Sequence, residues 1–328
     1  MTLCPGCSAG IAEGALSCPH CLRLTHAAQL ENLAKEARAA WRVGRFAEER
    51  GLWVQSLSLL PEDTVQHAKI QARVAELDQQ AAEAVEGHSG GWRKASAGIV
   101  PAGLLLLTKG KALLLGLTKM GTLLTMLASL GVYWSMYGWA FAAGIVISIY
   151  IHEMGHVIAI RRYGFRATAP MFIPGLGAFI RMRGVKVPPI PDSRIGLAGP
   201  IYGLGAAVGA LLMLFLTGAK IWAAIAHFGA IVNLFNLIPV WSLDGSRGLR
   251  SLTRPHRGIV LAVAAGLWML GGHPMLFLIA AVCTYRMFTR DWQAEPDTEG
   301  LIQFVGLMIA LSAIAAFSPL ESITSTTH

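Results

Sequence analysis

The chain has 328 residues, of which 54% are hydrophobic and 14% charged, with a mean hydropathy of +0.52. Soluble globular domains carry about 25% charged residues, so a disordered chain, a coiled coil and an ordinary soluble enzyme all fit poorly. The formal charge of +8 hides two unlike parts: residues 1–90 hold 8 Lys/Arg against 11 Asp/Glu, and the remainder holds 19 against 8.

The front end opens on Cys4-Pro5-Gly6-Cys7 and Cys18-Pro19-His20-Cys21, two Cys-x2-Cys knuckles ten residues apart. Four thiolates from two tight turns can close a tetrahedral shell around Zn²⁺. A closed shell has no open position for substrate, so such a zinc is structural. The alternative is a pair of disulfides, which a cytosolic N-terminus disfavours. Met1 to Leu22 has neither the basic start nor the apolar core of a signal peptide. Residues 1–24 resemble a zinc ribbon, with His20 as a spacer inside the second knuckle.

Residues 28–86 read as helices. Leu30, Leu33, Ala37, Ala40 and Trp41 recur at helical spacing, and Gly44-Arg45-Phe46 makes a break. A second stripe runs through Leu52, Trp53, Leu57 and Leu60 to the stop at Pro61, and a third helix covers about 64–86. The pattern resembles a tetratricopeptide helical pair. A solenoid needs three or more repeats, so two readings stand: a small helical bundle, or a surface that docks a protein partner. Residues 87–97 read as a linker into a membrane part covering 98–320.

That part resolves into segments of membrane-spanning length, about 20 residues each. They fall near 112–134, 138–160, 195–217, 221–240, 258–272, 274–289 and 300–318. The fold class is therefore mainly α, a multi-pass membrane protein of about six or seven spans behind a small soluble front. An apolar run at 98–108, broken by Pro101, lies at the interface or begins the first span.

Basic loops set the orientation. Arg161, Arg162, Arg166, Arg181, Arg183, Lys186 and Arg194 follow the second span, and Arg247, Arg250, Arg254 and Arg257 follow the fourth. Arg286 and Arg290 follow the sixth, whereas the opposite side holds only Lys220. The N-terminus and basic loops are thus expected in the cytosol, for a multi-pass protein of a bacterial cytoplasmic membrane. Topology accounts for the positive charge, so no nucleic-acid partner is expected.

Acidic residues are scarcer and more informative. From Ala95 to Arg290 there are only Glu153, Asp192 and Asp244. Ionisable groups at membrane depth are costly and persist where they do chemistry. His152-Glu153-Met154-Gly155-His156 is an H-E-x-x-H pattern near the cytosolic end of the second span. On a helix, i and i+4 share a face, so both imidazoles can grip one metal ion and Glu153 can serve as general base. Asp244, at the cytosolic end of the fourth span, is the best candidate for a third ligand. Asp192, between Pro191 and Ser193, reads as a helix N-cap or a surface residue. Cys283, alone in an apolar segment, reads as a packing residue.

Asn236-Leu-Ile-Pro239-Val-Trp-Ser-Leu243-Asp244-Gly245 matches N-x-x-P-x-x-x-L-D-G. With H-E-x-x-H upstream on a span, the pairing resembles the site-2 proteases, the zinc-dependent intramembrane metalloproteases. The resemblance covers about 134–257 and, more loosely, all seven spans. It implies that His152, His156 and Asp244 bind a catalytic zinc, that Glu153 is the general base, and that Asn236 polarises the substrate carbonyl. Asn233, about one turn earlier, is a weaker candidate for that role. Ala198-Gly199-Pro200-Ile201-Tyr202-Gly203 is similar to the family's G-P segment, where a small polar residue often stands in place of Tyr202 or Gly203. Gly199 and Gly203 by themselves make a small-x-x-x-small packing face. Residues 171–180, apolar with a Pro174-Gly175 turn signal, resemble the family's membrane-dipping hairpin; the alternative is an apolar loop packed on the spans.

These observations predict an endopeptidase with one catalytic and one structural Zn²⁺. It would cut a transmembrane protein substrate within or next to a membrane segment, in contact with the lipid bilayer. The competing expectation is a catalytically silent membrane adaptor that recruits partners through its ribbon and helical region.

Overall fold

The structure is a computed structural model, and it describes residues 2–4, 6–92, 110–165, 171–173, 177–179, 187–289 and 291–317. It divides into two compact units, Met1–Ala95 and Ser96–His328.

In the first unit, β1 (Thr2–Leu3) pairs antiparallel with β2 (Gly10–Ile11), and an isolated bridge joins Ser17 to Leu24. Cys4, Ile11 and Cys18 form the small interior between these turns. Helix α1 (Ala27–Arg42) then packs on α2 (Phe46–Leu57), and α2 on α3 (Val65–Trp92). The break after α1 is set by Gly44 at φ 79°, a left-handed conformation that glycine adopts without strain. Arg45 N–H donates to Ala40 O and Gly44 N–H to Trp41 O, which satisfies two terminal carbonyls of α1. The predicted stripe packs inward, with Ala37, Ala40 and Leu60 buried. Glu49 is also buried, held by Arg73 at 2.9 Å and by the Trp53 indole at 3.2 Å. Helix α3 runs to Trp92, so residues 87–92 of the expected linker are helical. Extending a formed helix adds one hydrogen bond per residue without the cost of nucleation.

The second unit is an assembly of apolar helices: α4 (Gly110–Tyr137), α5 (Trp139–Arg162), α6 (Pro189–Thr217), α7 (Ile221–Asn236), α9 (Arg254–Met269), α10 (Met275–Phe288) and α11 (Thr298–Phe317). A five-residue helix, α8 (Asp244–Gly248), and a 3₁₀ turn (Leu249–Ser251) lie between α7 and α9. Each of the seven expected apolar segments contains one of these helices, although α7 ends at Asn236, short of the expected 240, and α9 at Met269, short of 272. By length and composition, Trp139–Arg162, Pro189–Thr217 and Thr298–Ala316 can each cross a bilayer, and Ile221–Asn236 and Met275–Phe288 are shorter apolar helices. The apolar run at 98–108 lies outside the described residues.

Helix α6 is the hub, packing on α5, α7, α8 and α11. It begins at Pro189, six residues earlier than the hydropathy pattern predicts. Proline is tolerated in a first turn because those N–H groups have no intrahelical partner. The interior is apolar, built from residues such as Leu197, Ala230, Leu234, Ile279 and Phe304, and Cys283 packs within it as expected. Trp139, Phe215, Leu216 and Phe288 stand on the outside. An exterior this apolar suits an integral membrane protein.

Strands β3 (Met171–Ile173) and β4 (Gly177–Phe179) pair antiparallel, with Met171 opposite Phe179 and Ile173 opposite Gly177. A hairpin therefore stands where the apolar Pro-Gly segment predicts one. β3 lies against α4 and β4 against α5.

Asp297 caps α11, accepting from Gly300 N–H at 3.0 Å and from both Arg194 terminal nitrogens at 2.8 and 3.1 Å. Burial opposes its charge, but the Arg194 hydrogen bonds hold its carboxyl below the usual carboxylate range. A lowered folded pKa gives stability that is present above the unfolded value of about 3.9 and is lost as pH falls through the folded value. Asp297→Asn is therefore expected to lower the thermal midpoint at pH 7, by the equivalent of about 1.5–3 kcal/mol for a charged hydrogen bond. The gap from wild type closes below about pH 4. Equal midpoints at pH 7 would refute this.

Candidate metal centre

Helix α5 carries His152 and His156 on one face, both buried, with Glu153 beside them and 4% exposed. One nitrogen of each imidazole is already committed. His156 Nδ1 lies 2.7 Å from the carbonyl oxygen of Ile195, which can only accept, so this nitrogen carries the proton. His152 Nδ1 lies 2.8 Å from Asn233 Oδ1, while Asn233 Nδ2 donates to Gly229 O at 2.8 Å. The amide's orientation makes Oδ1 the acceptor, so His152 Nδ1 is the donor. In both neutral rings the lone pair then sits on Nε2, the tautomer a metal ligand needs.

Those lone pairs converge. The two Nε2 atoms are 3.2 Å apart; His152 Nε2 is 3.1 Å from Asp244 Oδ2 and His156 Nε2 is 3.2 Å from Asp244 Oδ1. Zinc–nitrogen and zinc–oxygen bonds of about 2.0–2.1 Å at tetrahedral angles place ligand atoms about 3.3 Å apart. The contacts among the two Nε2 atoms and the Asp244 carboxylate oxygens fit that spacing. A proton could bridge only one His–Asp contact, whereas a cation satisfies both imidazoles and the carboxylate at once. The donor set of two imidazoles and one carboxylate leaves a fourth tetrahedral position, as hydrolytic zinc sites do.

Helix α6 makes this convergence possible by having no side chain where the rings lie. A Cβ on Gly199 would fall 2.2 Å from His156 Nε2 and 2.7 Å from His152 Nε2, and one on Gly203 would fall 2.1 Å from Asn233 Oδ1. The small-x-x-x-small face read from the sequence thus lies against the imidazoles and their supporting amide. Tyr202 is exposed.

The loop after α7 turns tightly, with Val240 N–H donating to Ile238 O at 2.8 Å and Leu243 N–H to Val240 O at 3.1 Å. It passes through Trp241 at φ 48° and delivers Asp244 at the start of α8. Asn236, which the family motif singles out, ends α7 and is half-buried. Asn233, the weaker candidate, is the one hydrogen-bonded to His152.

Asp192 needs correction. It is neither an N-cap nor a surface residue: it lies within the first turn of α6, 3% exposed. Its Oδ1 accepts from Arg247 Nε at 2.9 Å and Nη2 at 2.7 Å, and its Oδ2 from Arg250 Nη1. The apolar pattern begins at 195, which concealed the extra turn. The arginines lie 55 and 58 residues downstream, beyond the reach of local spacing.

In the first unit the four cysteines of the knuckles are free thiols. Cys4 Sγ lies 3.6 Å from Cys21 Sγ and Cys7 Sγ 3.7 Å from Cys18 Sγ, and all four sulfurs lie within 4.8 Å of one another. These distances exceed a disulfide bond of about 2.05 Å. They match the roughly 3.8 Å edge of a tetrahedron with zinc–sulfur bonds of about 2.3 Å. Within this cluster the backbone N–H groups of Gly6 and Cys7 pull the Cys4 thiol down, while, against the lowering backbone N–H of Ala9, the neighbouring thiols push that of Cys7 up. His20 is exposed and outside the cluster.

A model of peptidase family M50 matches residues 140–219, which includes the His152–His156 helix and most of α6. A zinc metalloprotease of Methanocaldococcus jannaschii is 27% identical over 115 residues, covering 33% of this chain and 32% of the relative. The protein Rip2 of Mycobacterium tuberculosis, whose name gives the same designation provisionally, is 31% identical over 194 residues, covering 46% of this chain and 73% of the relative. The chain thus spans about a third of the first relative's length and nearly three quarters of the second's. No solved structure matches it.

Proposed function

Because this chain belongs to peptidase family M50, the site-2 protease family, we propose that it is a zinc endopeptidase cutting a membrane protein within or next to a transmembrane segment. The observation that carries this reading is the convergence of the His152 and His156 Nε2 atoms with the two Asp244 carboxylate oxygens, at contacts of 3.1–3.2 Å, beside the buried Glu153. Membrane depth favours a substrate that is itself in the bilayer. The cytosolic side of the basic loops favours a site reached from the cytosol, with the N-terminal unit on the same side of a bacterial cytoplasmic membrane.

His152, His156 and Asp244 would hold a zinc ion, which would supply Lewis acidity toward water and the scissile carbonyl. The chain's own residues do the rest. Asn233 and the Ile195 carbonyl hold the imidazoles in one tautomer and orientation. Glu153 takes a proton from the attacking water and returns it to the leaving amine. Asn236 donates a hydrogen bond to the substrate oxygen as negative charge develops there.

Cys4, Cys7, Cys18 and Cys21 hold a second, structural zinc in this reading, and the helical unit behind them docks a protein partner. Two zinc ions per chain are therefore expected in the purified protein. A Cys4→Ser/Cys7→Ser variant is expected to keep one, and His152→Ala to keep the other. A silent adaptor would hold one zinc, lost with the cysteines and indifferent to His152, so elemental analysis of the three proteins separates the two readings.

A further inference from the structure

Asp244 rides on α8, which spans five residues. A helix so short gains too few hydrogen bonds to offset its own nucleation, so something outside it must fix its direction. α6 does so at three points within little more than one turn. Asp192 accepts from Arg247 and Arg250, Ser193 Oγ donates to Gly248 O at 2.9 Å, and Gly196 leaves room for Arg247, whose Cβ would lie 2.6 Å from an added Cβ. Ile195, in the same turn, accepts from His156. One turn of α6 thus carries both the support of a histidine and the attachment of the carboxylate segment.

Among these contacts, the one at Asp192 is ionic and directional. Both of its oxygens are used, and Arg247 stands three residues after Asp244, one turn along the same short helix. We propose that Asp192 is a positioning residue for the metal centre: through Arg247 and Arg250 it fixes the segment that brings Asp244 to His152 and His156, and so sets the affinity for zinc. The proposal rests on the metal-centre reading above and assigns Asp192 no contact with metal or substrate.

The test uses the full-length protein in detergent, loaded with zinc and titrated with a chelator, reading zinc per chain and thermal midpoint. Asp192→Asn is expected to release one zinc at chelator concentrations about 10- to 100-fold below wild type, the usual loss when an outer partner of a metal site is removed. The zinc held by the four cysteines is expected to leave as in wild type. Release of both ions at the wild-type concentrations would overturn the proposal. So would a lowered midpoint with unchanged release, the mark of an ordinary ion pair. Should Asp192→Asn fail to fold, Arg247→Gln decides, because Asp192 then keeps Arg250: early release of one zinc supports the proposal, and wild-type release overturns it. A His152→Ala chain holding as much zinc as wild type would instead refute the metal centre itself, and the two failures are thereby told apart.

Discussion

Glu153→Gln is expected to lower proteolytic turnover about 100- to 10,000-fold, the range for loss of a general base, while the chain stays folded with its full zinc content. Glutamine keeps the shape of a side chain that is only 4% exposed but cannot take a proton at neutral pH. Successive residues on a helix are turned about 100° apart, so Glu153 flanks the face that carries His152 and His156 without competing for the metal position. The loss is expected in kcat and kcat/KM alike, because the missing interaction belongs to the transition state. Comparing membrane proteomes of cells with the wild-type and Glu153→Gln proteins would reveal the substrate as a membrane protein that accumulates uncut. Undiminished turnover by the variant would remove this mechanism.

Gly199→Ala should be nearly as damaging, for a steric reason. In an ordinary helix interior the change from glycine to alanine stabilises by about 0.5–1 kcal/mol. At residue 199 the new Cβ would sit 2.2 Å from His156 Nε2 and 2.5 Å from its Cε1, well inside the 3.5–4.0 Å of a normal contact. The rings cannot retreat freely, since Asn233 and the Ile195 carbonyl hold their far edges. Overpacking of this kind costs about 1–3 kcal/mol, and here it falls on atoms that must converge within 3.2 Å. The expected result is loss of one zinc and of turnover with most of the helical structure retained. Gly205→Ala is the control on the same helix: nothing lies within 4 Å of its added Cβ, so it should be neutral or stabilising. Equal zinc content in the two variants would refute the argument.

The two asparagines show what spacing along a helix does not reach. Asn233 and Asn236 lie about one turn apart on α7, and the family motif assigns the substrate carbonyl to Asn236, a role separate from the support of a histidine. The hydrogen bond to His152 goes to Asn233, which depends on how α7 is rotated against α5. A polar residue one turn before a named one was the available signal, but spacing along one helix cannot rank two residues against a neighbour that is 81 positions away. Asp192 was misread for a related reason. Flanked by Pro191 and Ser193, it looked like the edge of a span whose apolar pattern began at 195, and the added turn from Pro189 is held by partners distant in the chain.

By itself the sequence determined the chemistry available: thiols in two knuckles, imidazoles at i and i+4, three carboxylates in a long apolar stretch, and helices wherever apolar residues ran to membrane length. Such features are local, because helical periodicity and ligand spacing are set within a few residues. Only the tertiary structure decided which atoms meet. The Nε2 tautomers, the 3.1–3.2 Å spacing of the His152, His156 and Asp244 atoms, and the attachment of α8 to Asp192 all arise where α6 packs on α5, α7 and α8. The physical reason is that a metal site needs positions held to a few tenths of an ångström, and close packing between helices supplies that accuracy where sequence spacing cannot.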